Sequence, residues 1–193
     1  MKVAFTGAGG TGKTTLATYA AKKWELPFLT NVAREVMRSR GIENESSQNA
    51  MSPEALLDLQ YTIFLALKER RSSEPAYVTD RLLLDNYVYA LRRCGSAMSE
   101  PFRKAWEDAA IADLYQMDLV FYTPAGLFPL KADGMRQADV AHQYLIDSAI
   151  YGLLCKHAFD RQCGHVYVVN MADPERRQAY VDALISEVLV QES

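Results

Sequence analysis

Short apolar runs alternate along the chain with stretches whose apolar residues return every three or four positions. Runs rich in Val, Phe, Tyr or Leu at 2–6, 27–32, 76–80, 118–123 and 165–170 predict five strands buried on both faces. The stretches between them carry helix punctuation. Glycine-rich residues give way to a helix beginning near Lys13, and Ser52-Pro53-Glu54 supplies an N-cap, a first-turn proline and an acid suited to the helix dipole. From there to about residue 71, Leu56, Leu59, Ile63 and Leu67 form a core-facing stripe. Ser99-Glu100-Pro101 and Asp173-Pro174-Glu175 open two more helices in the same way. Strands that alternate with helices predict an α/β chain with a parallel sheet covered by helices. The polar segment 41–51 is expected to be a loop, either a connection or a cover over a substrate.

Composition narrows the class without choosing a function. A chain of 193 residues predicts one domain over 1–193, and 49% hydrophobic with 23% charged residues is ordinary for a soluble globular protein. A formal charge of −3 disfavours a protein that coats nucleic acid, although a local basic pocket would not show in that sum. Cys94, Cys155 and Cys163 lack the spacing of a metal site and predict reduced thiols in a cytoplasmic compartment. The chain enters a strand and then the glycine loop at once, so no signal peptide is expected. No apolar run reaches membrane-spanning length.

The strongest chemical signal is Gly7-Ala8-Gly9-Gly10-Thr11-Gly12-Lys13-Thr14, set between a strand and a helix. Glycines let consecutive N–H groups turn inward on phosphate oxygens, at a helix end whose dipole also favours anions. Lys13 is placed to reach the β- and γ-phosphates, the Thr14 hydroxyl to ligate Mg²⁺, and Thr15 completes the nucleotide-binding set.

The ends of the other strands supply candidates for the reaction, because ligands of an open parallel sheet collect beyond its carboxyl edge. Asp80, at the third strand's end, is expected to hold Mg²⁺ through water or to accept a proton from an attacking hydroxyl; the plainer alternative is a helix cap. Arg81 beside it suits an anionic or aromatic part of an acceptor. Arg34 and Glu35 follow the second strand, either to bind or activate the acceptor or as solvated helix-start charges. After the fourth strand, 124–137 carries Lys131, Gly134 and Arg136 and predicts a lid, with Arg136 meeting the transferring phosphoryl group and Lys131 assisting. His142, His157 and His165 have no metal-ligand spacing and predict surface or packing roles. Asp113 and Asp118 read as helix-end and strand-start residues.

The glycine loop, Ala33-Arg34-Glu35, Asp80-Arg81 and Asp133-Gly134-x-Arg136, in that order, resemble a group of P-loop ATPase-like kinases that includes the ribosylnicotinamide kinase domain. Asp80-Arg81 is also similar to the acidic-Arg step of thymidylate and deoxynucleoside kinases. The resemblance implies a P-loop three-layer α/β sandwich with a five-stranded parallel sheet of order 2-3-1-4-5. It further implies ATP- and Mg²⁺-dependent phosphorylation of a nucleoside, nucleotide or nucleoside-like acceptor, with Lys13 and Thr14 on phosphate and metal, Asp80 as base or metal partner and Arg136 as lid arginine. The Arg-Glu-Pro-Gly segment of thymidylate kinases is absent and the lid is short, which departs from an ordinary thymidylate kinase.

Phage kinases of 5-hydroxymethyluracil in DNA need the same parts. For that alternative, the clusters Arg38, Arg40, Lys68, Arg70, Arg71, Arg92 and Arg93 either track a phosphate backbone or are solvated helix faces. A nucleotide-dependent regulatory switch is the reading from another class. Asn170-Met171-Ala172-Asp173 resembles the guanine-reading motif of GTPases, but Met171 replaces its lysine and no Asp-x-x-Gly follows the glycine loop closely.

Overall fold

In the computed structural model, which describes residues 1–29, 32–42, 45–130, 139–159 and 165–191, five strands form one parallel sheet. They are β1 (Lys2–Thr6), β2 (Phe28–Leu29), β3 (Tyr77–Thr79), β4 (Leu119–Tyr122) and β5 (Val166–Val168), in the order β2-β3-β1-β4-β5. Alternation along each strand divides the core in two. Ala4, Tyr77, Val120 and Tyr122 pack on one face, while Val3, Phe5, Val78, Leu119 and Phe121 pack on the other. The sequence-based expectation of strands apolar on both sides follows from this arrangement.

The second face is covered by α1 (Lys13–Lys23) and α8 (Pro174–Gln191), joined where Tyr19 Oη and Trp24 Nε1 donate to the Asp182 carboxylate at 2.5 and 3.1 Å. The first face is covered by α2 (Val32–Ser39), α4 (Pro53–Ser72), α5 (Leu83–Cys94), α6 (Glu100–Leu114) and α7 (Val140–Leu154). Ser52 caps α4 by accepting from Ala55 N–H at 3.2 Å, and Leu56, Leu59, Ile63 and Leu67 are buried as their spacing predicts. A single π-helical turn, Cys155–Phe159, extends α7 through His157.

Two expectations need correction. The strand expected at 27–32 is only two residues long, and Val32 instead starts α2, where it is buried in the core. β2 is an edge strand with β3 as its one partner, so its apolar run is free to leave the sheet early. The loop expected at 41–51 contains a short helix, α3 (Glu45–Asn49). Its Gln48 is buried, donating to Met37 Sδ and accepting from Arg93 at 3.0 Å, and these tertiary contacts order a segment whose composition is that of a loop. Residues 43 and 44 of that segment lie outside the described residues.

Candidate active site

β1 delivers the chain into the glycine loop at the carboxyl edge of the sheet, and α1 leaves from it. Gly7 (φ 131°) and Gly12 (φ 81°) hold backbone conformations that L side chains rarely adopt, and a Cβ on Gly7 would overlap the Thr123 carbonyl oxygen. Thr11 Oγ1 bonds to Ala8 O at 3.1 Å and shares a 2.8 Å hydrogen bond with Thr123 Oγ1, fastening the loop to the end of β4. Lys13, buried at 5% exposure, folds its ammonium back over the loop to the Ala8 carbonyl and to Thr11 Oγ1.

Because β3 pairs with β1, Asp80 comes to the side of the loop, where its carboxylate accepts from Thr14 Oγ1 at 2.7 Å. It does not cap α5: that helix is capped at Leu82, whose N–H donates to Asp85 at 2.8 Å. Two hard oxygen groups side by side at the start of α1 suit Mg²⁺, a cation that keeps most of its waters and takes few protein ligands. Among the described residues there is no cluster of three or more His, Cys, Asp or Glu that could hold a metal.

Two buried carboxylates grip the loop from outside. Asp85 accepts from Thr6 Oγ1 at 2.9 Å and from Gly7 N–H at 3.3 Å; burial pushes its carboxyl up, opposed by the nearby charges of Arg81 and Lys13. Asp147, from α7, accepts from Ala8 N–H at 3.5 Å, Tyr122 Oη at 2.8 Å and Ala125 N–H at 3.1 Å. Gln143, one turn earlier, donates to the Gly9 carbonyl at 2.6 Å. Sequence reasoning singled out none of these three. For Gln143 and Asp147 the one signal is polarity at i and i+4 within a helix face otherwise occupied by buried Ile146 and Ile150.

A cavity of about 470 Å³ opens beside Gly9, walled by Asn49, Leu56, Tyr89, Arg92, Arg93, His142 and Gln143 among others. Arg81 packs on one of its lining residues, with its guanidinium 5.1 Å from the Tyr89 ring centre and 3.8 Å from Asp85. His142, expected to have a surface or packing role, is part of this wall, and so are two of the arginines of the basic clusters. Three of the other clustered cations are engaged elsewhere: Arg40 pairs with Asp58 at 2.5 Å, Arg70 with Glu35 at 2.6 Å and Arg71 with Asp113 at 2.5 Å. Glu35 therefore sits in a surface ion pair with α4, and Arg70 holds its carboxyl below the usual range. Neither Arg34 nor Glu35 is among the cavity-lining residues described, and Lys131 and Arg136 lie outside the described residues.

Asp113 is more than a helix-end residue. It forms a buried ion pair with Arg71 at 2.5 Å and accepts from Leu83 N–H at 3.0 Å, while Arg71 also donates to the Arg81 carbonyl. The pair thus fixes the turn that carries Asp80 and Arg81. Asp113→Ala would leave the Arg71 charge buried without its partner, and a loss of about 3–5 kcal/mol in urea unfolding is expected. A loss below about 1 kcal/mol would show that water reaches Arg71.

A family model described as an AAA domain matches residues 2–177. No curated protein sequence matches the chain. Among solved structures, it is similar to deoxyadenosine kinase from M. mycoides with dCMP and dCDP bound (TM-score 0.73, 16% identity, 97% of this chain and 100% of that one). It is also similar to the NadR protein in complex with NAD and AMP-PNP (0.63, 17%, 95% and 48%), so it spans about half of that protein. Thymidylate kinase from Ehrlichia chaffeensis is a third likeness (0.58, 15%, 96% and 98%). No helix among the described residues is long and apolar enough to cross a membrane. With a matching family model over nearly its whole length and the 2-3-1-4-5 sheet, the chain belongs to the AAA-domain family and has the fold of the P-loop nucleoside and nucleotide kinases.

Proposed function

We propose that this protein transfers the γ-phosphoryl group of ATP to a nucleoside, nucleotide or nucleoside-like acceptor. The observation that carries the reading is the Thr14–Asp80 contact at 2.7 Å, which puts a carboxylate beside the phosphate loop with a 470 Å³ cavity opening from Gly9. Loop N–H groups and Lys13 hold the donor phosphates. The acceptor lies in the cavity against Tyr89, with Arg92 and Arg93 available to an anionic part of it and Arg81 supporting Tyr89 from behind. Its hydroxyl oxygen bonds to the γ-phosphorus as the bond to the β–γ bridging oxygen breaks; Asp80 takes the hydroxyl proton, and ADP leaves with the bridging electron pair. The Thr14 hydroxyl and the Asp80 carboxylate would hold Mg²⁺, which would supply positive charge to offset the charge on the phosphate oxygens. From the 124–137 segment, Arg136 and Lys131 are proposed as the cations that close over the transferring group.

The test is transfer of label from γ-labelled ATP to pooled nucleosides, nucleoside monophosphates and DNA containing 5-hydroxymethyluracil. Label in a nucleoside or nucleotide is the expected result. Label confined to the modified DNA would assign the acceptor to the nucleic acid. No labelled acceptor despite tight ATP binding would overturn the kinase reading, and a clear preference for GTP over ATP in a binding titration would favour a switch.

A further inference from the structure

The two cavities beside the loop differ in charge. The smaller, of about 250 Å³, has one cation among its lining residues, Arg177 of α8, which donates to the Thr11 carbonyl at 3.0 Å. The larger, beside Gly9, is lined by two adjacent arginines, Arg92 and Arg93, against a single acid, Asp139. That acid already serves α7 as its N-cap, accepting from His142 N–H at 2.9 Å. Arg92 is exposed and forms no ion pair with a described carboxylate. Arg93 is half-buried, and its Nη1 donates to Gln48 Oε1 at 3.0 Å. Gln48 is only 6% exposed and is anchored on Met37 Sδ, so a buried neutral amide helps to aim this guanidinium. Two like charges on one cavity repel each other, and an oxyanion placed between them relieves the repulsion. Guanidinium forks match the oxygens of a phosphate or a carboxylate.

The place of these cations along α5 says where the anion lies on the acceptor. α5 starts at Leu83, directly after the turn that carries Asp80 and Arg81, and Arg92 follows nine residues later. At 1.5 Å per residue that is about 13 Å along the axis, shortened by a side chain that leans back toward the helix start. Tyr89, between the two ends of the helix, offers its ring to the middle of the acceptor. A phosphate on the reacting oxygen itself, as in a nucleoside 5′-monophosphate, sits beside Asp80 and leaves both arginines unused. An uncharged nucleoside leaves them unused as well. We infer that the acceptor is a nucleoside-like molecule with a phosphate or carboxylate remote from its reacting hydroxyl, and that Arg92 and Arg93 select for that group. The inference rests on the proposed phosphoryl transfer and names the acceptor class within it.

Steady-state transfer from γ-labelled ATP tests it with mixed-base pools of 2′-deoxynucleosides, their 5′-monophosphates and their 3′-monophosphates, and with 5-carboxy-2′-deoxyuridine beside thymidine. The 3′-monophosphates place the remote anion on the sugar, and the carboxylated base places it on the ring. At least one of these is expected to exceed both the uncharged nucleosides and the 5′-monophosphates by about tenfold or more in kcat/KM. The advantage is expected to shrink in about 0.5 M salt, because screening weakens pairing at an exposed guanidinium. Arg92→Gln is expected to raise KM for the preferred acceptor about tenfold, with its kcat and the KM for uncharged nucleosides moving less than about threefold. Arg92→Lys keeps the charge without the fork and is expected to recover only part. Equal use of charged and uncharged acceptors, a preference for the 5′-monophosphates, or an advantage indifferent to salt would overturn the inference and leave the kinase reading standing. An unchanged KM in Arg92→Gln, or an equal loss for every acceptor, would do the same. No label in any acceptor despite tight ATP binding would sink both.

Discussion

Lys13→Ala is expected to abolish detectable phosphoryl transfer, with turnover falling by at least about 10²–10³, the loss typical of removing one donor aimed at developing charge. The ammonium is buried at 5% exposure and lies across the loop on the Ala8 carbonyl and Thr11 Oγ1. A donor triphosphate in the cradle offers it far stronger acceptors than a neutral carbonyl and hydroxyl. Lysine can therefore add a charge-assisted contact to the donor phosphates, and alanine leaves those phosphates to the loop's N–H groups alone. Single-turnover assays with labelled ATP, alongside circular dichroism to verify folding, provide the measurement. Transfer within tenfold of the unaltered rate would mean that the donor phosphates are held elsewhere.

Asp80→Asn is expected to preserve ATP binding within a few-fold while cutting turnover by about 10²–10⁴, the usual contribution of a positioned general base. Asparagine still offers an oxygen to Thr14 Oγ1, now 2.7 Å from the carboxylate, so the start of α1 keeps its shape. It cannot take the acceptor proton, and it is a poorer partner for the waters of a bound cation. Titration calorimetry separates the retained binding from the lost chemistry. Near-normal turnover would transfer the base role to Glu35 or another carboxylate, or show that no base is needed.

The phosphate loop was legible because its information is local: eight consecutive residues specify their own backbone path between a strand and a helix. Asp80 was legible at one remove. Its place beside the loop required β3 to neighbour β1, an arrangement implied by the family resemblance and present in the sheet. Asp85, Asp147 and Gln143 were not legible, since each is an isolated polar residue on a helix and its partner is a loop N–H or carbonyl far away in the chain. The Arg71–Asp113 pair was missed for the same reason, as two charges on separate helices look like solvated surface until packing brings them together. The 41–51 segment misled in the opposite sense: its loop-like composition is overridden by Gln48 packing against Met37 and Arg93.

The sequence alone therefore determined the phosphate-binding chemistry, the alternation of strands and helices, and the acid at the end of the third strand. These depend on hydrophobic period and on near neighbours in the chain. Only the tertiary structure decided what surrounds the loop: a cavity on each flank, two carboxylates behind it and an arginine from α8 donating to the Thr11 carbonyl beside it. Those relations arise when the two covering layers of helices close on the sheet, and burial then gives each isolated charge or amide the partner, or the lack of one, that defines its role.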